Sequence, residues 1–192
     1  MQELKDRIVK EGKVLPGNII KVDGFLNHRI DTELMDHIAE EFGKHFNMDE
    51  VTMILTAEAS GIALAAVCAY KYGIPMVYAK KAKSDNIEGG LYQSDICSYT
   101  YKKKVTLLVS KEWMSADDKV LIIDDFMANG EAMRGLCDIV EAAGATLVGI
   151  GCAVEKGFQG GGDRLRAAGV NLKSLAIIES AEPGNIVFRD ED

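Results

Sequence analysis

The chain has 192 residues, of which 47% are hydrophobic, and this length and composition predict one domain with a buried core. The formal net charge is −8, which argues against a nucleic-acid-binding protein because such a surface needs a basic face. The charged first segment, MQELKDRIVKEG, has no signal-peptide apolar region, and no later apolar run is long enough to span a membrane, so a cytoplasmic protein is expected.

The first half of the chain predicts two helices followed by a strand, a helix and a strand. LKDRIVKEG predicts a helix that ends at Gly12, and VLPGNIIKVDGFLNHRI predicts a short extended segment. The next helix begins at the capping residue Asp31 and has an apolar stripe from Leu34 to Phe42. MILTA predicts a buried strand, the turn EASG leads into a helix that ends at Gly73, and PMVYAKK predicts another strand. This order predicts a right-handed crossover in a parallel sheet.

The second half predicts a long polar loop and then further strands and helices. Residues Ser84 to Tyr101 are polar and show no clear period, so they are predicted to form a lid loop. Strands are predicted over KKVTLLVSKEW, VLIID, TLVGIGCAVE and LKSLAIIES. FMANG is predicted as a turn before the helix EAMRGLCDIVEAAG, and the glycine-rich loop GFQGGGDRL leads to a short helix that ends at Gly169. The pattern predicts one α/β domain with a parallel sheet core.

The cysteines and histidines do not predict a metal site held directly by the protein. The four cysteines, Cys68, Cys97, Cys137 and Cys152, are widely spaced and lie far from the three histidines. They are therefore expected to be buried free thiols.

The segment VLIIDDFMANGEA carries the most specific chemical signal. Its aliphatic run ends in the adjacent carboxylates Asp124 and Asp125, whose mutual repulsion requires a polar or cationic partner. Residues 128–132 then lead into a helix N-terminus, where unpaired N–H groups bind anions and small side chains let a phosphate approach the backbone. Carboxylates suit the hydroxyl groups of a ribose, so the segment predicts a sugar-phosphate site. An acidic helix N-cap is the weaker interpretation, because one acid would satisfy it.

Two other polar loops, EASG and EKGFQGG, also follow predicted strands. Ligands of open α/β sheets bind beyond the carboxyl ends of the strands. The three loops are therefore predicted to form one site.

These residues resemble the ribose-phosphate signature of the type I phosphoribosyltransferases. The segments IIKVDGFLNHRID, TAEASGIALA, IDDFMANG and AVEKGFQGGGDRL extend the resemblance over essentially the whole chain, to the bacterial xanthine phosphoribosyltransferases. The resemblance implies a single domain over residues 1–192, with a parallel sheet core flanked by helices and a flexible lid loop. It also implies a small hood over the active site, formed by residues 15–30 and 155–192.

The reaction that the resemblance implies belongs to purine salvage. A purine nitrogen of xanthine attacks C1 of phosphoribosyl pyrophosphate, which yields xanthosine 5′-monophosphate and pyrophosphate. Mg²⁺ is expected as a cofactor, bound mainly through phosphoribosyl pyrophosphate. The family is usually dimeric, so a homodimer is expected, with neither nucleic acid nor membrane as a partner.

The resemblance also assigns residues to phosphoribosyl pyrophosphate. Asp124 and Asp125 would hold the ribose hydroxyls and favour positive charge on the reacting ring, which is the catalytic role. The 5-phosphate would bind the backbone N–H groups of Ala128, Asn129, Gly130, Glu131 and Ala132. The pyrophosphate would bind Glu58, Ala59, Ser60, Gly61, Lys80 and Lys81, with Ser98 and Tyr99 reaching it from the lid. For each lysine, a solvated strand end is the alternative.

The base pocket implied by the resemblance contains Ile20, Asn27, Lys156 and Phe158. Family members often carry leucine where Ile20 stands, which conserves volume. The Asn27 amide suits an exocyclic carbonyl beside a ring N–H, and the Lys156 ammonium suits an electron-rich oxopurine better than the exocyclic amine of adenine. Phe158 would stack on the purine face. The alternatives are a solvated Lys156 and a Phe158 that belongs to the core.

Three other functions stay open from the sequence. An adenine phosphoribosyltransferase would share the GFQGGGDRL loop but fits Asn27 and Lys156 poorly. A hypoxanthine–guanine phosphoribosyltransferase would carry an aspartate, the expected proton acceptor, where Ala128 stands. A regulator that senses phosphoribosyl pyrophosphate without catalysis would need a DNA-binding segment, which an acidic chain without a winged-helix module does not offer.

Overall fold

The computed structural model describes residues 1–81, 90–98 and 103–190. The helices are α1 (Gln2–Glu11), α2 (Thr32–His45), α3 (Gly61–Tyr72), α4 (Glu131–Ala142) and α5 (Gly161–Ala167). The strands are β1 (Lys13–Leu15), β2 (Ile19–Lys21), β3 (Met53–Ala57), β4 (Met76–Ala79), β5 (Leu91–Ser98), β6 (Lys103–Ser110), β7 (Lys119–Met127), β8 (Thr146–Lys156), β9 (Leu172–Glu182) and β10 (Asn185–Phe188). Residues 84–89 and 99–101 of the predicted lid, Tyr99 among them, lie outside the described residues.

A six-stranded sheet with the order β10–β9–β8–β7–β3–β4 forms the centre of the molecule. Strands β9, β8, β7, β3 and β4 run parallel, and β10 pairs antiparallel with β9. The predicted α/β fold with a parallel core is therefore confirmed. Strands β3, β7 and β8 are parallel neighbours, so their last residues lie together at the carboxyl-terminal end of the sheet. These residues are Ala57, Met127 and Lys156, and ligands bind at this end in such folds.

Strand β7 is buried on both faces, as its uninterrupted aliphatic run predicts. Leu121 and Ile123 pack in the core layer that contains α1, α2 and α3. Val120 and Ile122 pack in the other layer, with α4 and the β5–β6 hairpin. Burial of each such side chain contributes about 1.5 to 3 kcal/mol, so the strand that carries the acid pair is held firmly in place.

Helix α2 begins where the sequence predicts it. The Asp31 carboxylate accepts a hydrogen bond from the Leu34 N–H at 3.2 Å, and its other oxygen accepts one from Arg7 at 2.8 Å. A capping bond of this kind contributes about 1 kcal/mol. The predicted stripe from Leu34 to Phe42 is buried against α3 and the sheet.

The prediction of a loop from Ser84 to Tyr101 is wrong for Leu91–Ser98, which form β5. This strand pairs with β6 along its length and docks on α4, where the Ser94 hydroxyl donates to Asp138 at 2.7 Å. Gly135 of α4 permits the approach, because a Cβ there would overlap Ile96. Ser94 and Ile96 face inward and alternate with exposed residues, but the polar Ser94 hides this period in the sequence.

Four other local predictions differ from the structure. Asp23–Asn27 form one π-helical turn instead of extended chain, which buries both Phe25 and Leu26. Strand β7 continues through FM of the predicted turn FMANG, since Phe126 and Met127 still pair with β8. Helix α5 begins inside GFQGGGDRL, and β10 follows the strand that was predicted to be the last.

The cysteine prediction holds in part. Cys68 and Cys152 are buried and Cys137 is half-buried, whereas Cys97 is exposed on β5. Within the described ranges, no helix is long and apolar enough to cross a membrane. The cytoplasmic location stays a prediction.

Candidate active site

The adjacent acids Asp124 and Asp125 lie within β7 near its carboxyl end and are 6% and 1% exposed. The Asp125 N–H donates to the Asp124 side chain at 3.0 Å. Burial, followed by the negative charge of Asp125, raises the pKa of Asp124 well above its usual value, and the charge of Lys81 acts in the opposite direction. Positive charge or hydroxyl donors beside this pair would therefore be bound favourably.

Each acid has a neighbour that is distant in sequence. The Asn27 side chain donates from Nδ2 to Asp125 at 2.9 Å, so the predicted base residue contacts the predicted ribose residue. Gly61, the first residue of α3, packs so closely on Asp124 and Thr56 that a Cβ would overlap both side chains. The Thr56 hydroxyl is buried and has no hydrogen-bond partner among the described residues. Thr56 was not among the predicted site residues, because its proximity to Gly61 depends on how β3 and α3 pack together.

The turn Glu58–Gly61 follows β3 and lies beside the acid pair through Gly61. The peptide bond between Glu58 and Ala59 is cis, which the sequence does not predict. The Glu58 N–H donates to Ala79 at the end of β4 at 3.0 Å. Ala59 and Ser60 are exposed at the start of α3. The turn is therefore exposed to solvent at the carboxyl-terminal end of the sheet, where the two acids also lie.

Residues 128–130 join β7 to α4, whose first two residues are Glu131 and Ala132. Gly130 has a φ of 81°, which favours glycine. Asn129 accepts a hydrogen bond from the Glu131 N–H at 3.3 Å through its side chain, so that donor already has a partner. The loop therefore lies at a helix N-terminus, where anions bind in other proteins, and its binding of the 5-phosphate stays a prediction.

Helix α5 supports this loop from behind. A Cβ on Gly161 would come within 2.5 Å of the Asn129 carbonyl carbon and within 2.7 Å of the Ala128 oxygen. The Arg164 guanidinium donates to the Asn129 oxygen at 2.9 Å and to the Gln159 oxygen at 3.4 Å. The glycine-rich segment was predicted only as part of the base side, and this support of the β7–α4 loop is a finding of the structure.

Lys80 and Lys81 face different surroundings. The Lys80 backbone pairs with Leu108 of β6. Lys80 also lines a groove of about 470 Å³ beside the edge strand β4, together with Tyr78 and Trp113. Lys81 is exposed, and its backbone N–H donates to the Glu58 side chain at 2.5 Å. The structure thus ties Lys81 to the turn Glu58–Gly61 and places Lys80 along the groove.

The predicted base residues lie on two segments, the N-terminal segment with Ile20 and Asn27 and the end of β8 with Lys156, followed by Phe158, which the Lys156–Asn18 hydrogen bond joins. Ile20 is 8% exposed and belongs to the core, while Phe158 packs against the same core and is half-buried. Asn27 is half-buried and bonded to Asp125. Lys156 ends β8, and its ammonium donates to the Asn18 carbonyl at 3.0 Å and lies 5.5 Å from the centre of the Phe126 ring. Burial lowers the pKa of Lys156.

Glu155, directly before Lys156, is a second buried carboxylate and was not among the predicted site residues. Glu155 is fully buried and forms an ion pair with Arg166 at 2.7 Å. Ser174 of β9 also donates to Glu155, and a Cβ on Gly162 would overlap its carboxylate. These contacts fix α5 to the ends of β8 and β9. An acid inside an otherwise apolar strand, TLVGIGCAVE, is the one sequence signal that could have indicated the pair.

The chain belongs to the phosphoribosyltransferase family, since the model of the phosphoribosyl transferase domain matches residues 25–168. Within the family, it is 53% identical over 192 residues to the xanthine phosphoribosyltransferase of Bifidobacterium animalis subsp. lactis (strain AD011), covering 98% of this chain and 100% of that one. It is 51% identical over 193 residues to the xanthine phosphoribosyltransferase of Lachnoclostridium phytofermentans, covering 100% of both chains. Adenine phosphoribosyltransferase from Rhodothermus marinus DSM 4252 has the same fold, with a TM-score of 0.73 at 20% identity over 91% of this chain and 98% of that one.

Proposed function

We propose that the protein transfers the 5-phosphoribosyl group from phosphoribosyl pyrophosphate to xanthine, forming xanthosine 5′-monophosphate and pyrophosphate. The observation that carries the proposal is the buried acid pair, Asp124 and Asp125, beside a helix N-terminus. The chain that carries it is 53% identical over its length to a xanthine phosphoribosyltransferase. The reaction serves purine salvage.

The ribose and its 5-phosphate bind across the end of β7. Asp124 and Asp125 accept hydrogen bonds from the ribose hydroxyls, and their negative charge favours the positive charge that develops on the ring as pyrophosphate leaves. Their burial supports this role, because an interaction between charges is stronger away from water. The backbone of residues 128–132 holds the 5-phosphate, for which the Glu131 N–H must leave the Asn129 side chain, and the close approach of Gly161 keeps that backbone in position.

The leaving pyrophosphate binds the turn Glu58–Gly61. Gly61 contacts Asp124, so the turn lies next to the ribose acids and within reach of C1. Lys81 is assigned to this anion because its backbone N–H donates to the Glu58 side chain of the turn at 2.5 Å. Lys80 remains in the proposal as a residue of the same strand end.

Xanthine binds between Lys156 and Asn27, with Ile20 and Phe158 as apolar neighbours. The Lys156 ammonium donates toward the oxygens of the base, which carry more negative charge in xanthine than any group of adenine does. The Asn27 side chain is hydrogen-bonded to Asp125, so it fixes the position of the base relative to the ribose.

The nucleophile is proposed to be the xanthine anion itself. Ala128 stands where a proton-accepting aspartate would be expected for other oxopurines, and xanthine ionises readily near neutral pH. A rate of the chemical step that stays flat across the pH range in which xanthine ionises would contradict this part of the proposal.

Mg²⁺, a homodimer and the hood belong to the same proposal. Mg²⁺ would be bound mainly through the oxygens of phosphoribosyl pyrophosphate, without a direct ligand from the protein. When bound, it neutralises charge on the leaving group. The hood consists of the N-terminal segment 15–30 with the segment 155–192, which the Lys156–Asn18 bond joins.

A single-base assay tests the proposed function. Purified protein, Mg²⁺ and phosphoribosyl pyrophosphate are incubated separately with xanthine, guanine, hypoxanthine and adenine, and the nucleotides are separated by chromatography. Preferred formation of xanthosine 5′-monophosphate, lost in Asp124→Ala, is the expected result. Turnover of adenine alone would refute the base assignment and retain the ribose-phosphate site. Binding of phosphoribosyl pyrophosphate without turnover of any base would favour a sensor.

A further inference from the structure

The tip of the N-terminal hairpin meets the base side of the site through its backbone. β1 and β2 are joined by residues 16–18, and Asn18 has a φ of 58°. Among the described residues, it is the one non-glycine residue with a positive φ. Its carbonyl oxygen accepts the hydrogen bond from Lys156 at 3.0 Å across 138 positions of sequence. Gly17, directly before Asn18, has a φ of 83°, so the turn contains two consecutive left-handed residues, and the conformation of Asn18 sets the direction of the acceptor that holds Lys156.

Lys156 differs from other lysines in what it contacts. Lys71 and Lys44 pair with carboxylates at 2.9 and 2.8 Å, whereas none of the ion pairs within residues 1–81, 90–98 and 103–190 involves Lys156. Its polar partner is a neutral carbonyl, and its other contact is the face of the Phe126 ring. Such an ammonium is oriented without a neighbouring carboxylate to offset its charge, so it can pair with an anionic ligand.

We propose that the left-handed turn at Asn18 is a positioning element for Lys156 and thereby sets the preference of the enzyme for an anionic oxopurine. This inference rests on the proposed function. The Asn18 carbonyl takes one N–H of the ammonium at 3.0 Å, and the Phe126 ring lies 5.5 Å from the nitrogen, so the remaining N–H groups are available to the base. Asn18 is exposed, and it holds Lys156 through its backbone carbonyl and not through its side chain. The identity of the side chain therefore matters only through the backbone conformation that it permits.

The test compares substitutions that differ in their tolerance of a positive φ. Glycine adopts it freely, alanine less well and a β-branched residue worst. Asn18→Gly is the conservative variant and is expected to retain the wild-type KM for xanthine. Asn18→Val is expected to raise that KM on the order of tenfold, with Asn18→Ala between them, because the left-handed conformation penalises a β-branched side chain. The KM for phosphoribosyl pyrophosphate stays within about twofold in all variants, since its site lies on other elements.

The outcomes separate positioning from general damage. An unchanged xanthine KM in Asn18→Val, or an equal rise of both KM values, would overturn the inference. Equal losses in Asn18→Gly and Asn18→Val would also overturn it, because they would assign the effect to the side chain. Melting temperatures of all variants show whether each protein is folded, and Asn18→Ala supplies the comparison if Asn18→Val does not fold. Wild-type protein that turns over other bases but not xanthine would refute the proposed function together with the inference.

Discussion

Substitution of Gly161 by alanine tests the support of the β7–α4 loop by α5. The added Cβ would lie 2.5 Å from the Asn129 carbonyl carbon and 2.7 Å from the Gly130 nitrogen, against 3.4 Å for an ordinary contact. The loop or α5 must therefore move by about 0.9 Å, and both neighbours are backbone, which cannot rotate away as a side chain can. Displacement of about 1 Å at a substrate-positioning group costs on the order of 100-fold in rate. Overpacking of this kind also costs about 1 to 3 kcal/mol of stability.

The assay is steady-state kinetics with phosphoribosyl pyrophosphate varied at saturating xanthine. The expected result is a loss of kcat/KM for phosphoribosyl pyrophosphate of about 100-fold in folded Gly161→Ala protein. Gly24→Ala is the matched control, because a Cβ there has nothing within 4 Å and the residue lacks a positive φ. It should behave as wild type. A kcat/KM within about twofold of wild type in Gly161→Ala would refute the reasoning that α5 shapes the phosphate site.

Three further substitutions give distinct results. Because the pKa of Asp124 is raised in the folded protein, stability that is present below its unfolded pKa is lost as pH rises through the folded one. Asp124→Asn should therefore raise the melting temperature at pH 7.5 but not near pH 4, while turnover is lost; a lower melting temperature at pH 7.5 would contradict this. Arg166→Ala leaves Glu155 buried without its cation and should cost about 3 kcal/mol, or roughly 6 to 12 °C in Tm, with Glu155→Gln restoring part of it. No change in Tm would show that the pair is dispensable. Lys156→Ala should raise the KM for xanthine at least about tenfold and leave that for phosphoribosyl pyrophosphate nearly unchanged; equal effects would exclude base binding.

The parallel sheet and its flanking helices could be predicted because each element carries its own local pattern. The aliphatic runs of β3, β7 and β8 have no polar interruption before their carboxyl ends, and α2 begins at a capping aspartate. The acid pair was also visible, since two adjacent carboxylates after such a run have few structural explanations. Where the element and the chemistry lie in one continuous segment, the sequence is sufficient.

The remaining features depend on contacts between distant segments. Asn27 and Asp125 are 98 positions apart, and Lys156 and Asn18 are 138 apart, so no local period relates them. The inward face of β5 carries Ser94, whose hydroxyl is satisfied only by Asp138 of α4, and its strand character is therefore hidden. The proximity of Gly161 to the β7–α4 loop likewise depends on how two crossovers pack together.

Competition between the four bases is the most direct test of the proposed preference for xanthine. Equal concentrations of xanthine, guanine, hypoxanthine and adenine are mixed with Mg²⁺ and limiting phosphoribosyl pyrophosphate, and the nucleotide products are measured by mass spectrometry. The product ratios report the ratios of kcat/KM without separate rate measurements. Xanthosine 5′-monophosphate is expected to be the dominant product. A mixture dominated by adenosine 5′-monophosphate or by guanosine and inosine 5′-monophosphates would contradict it.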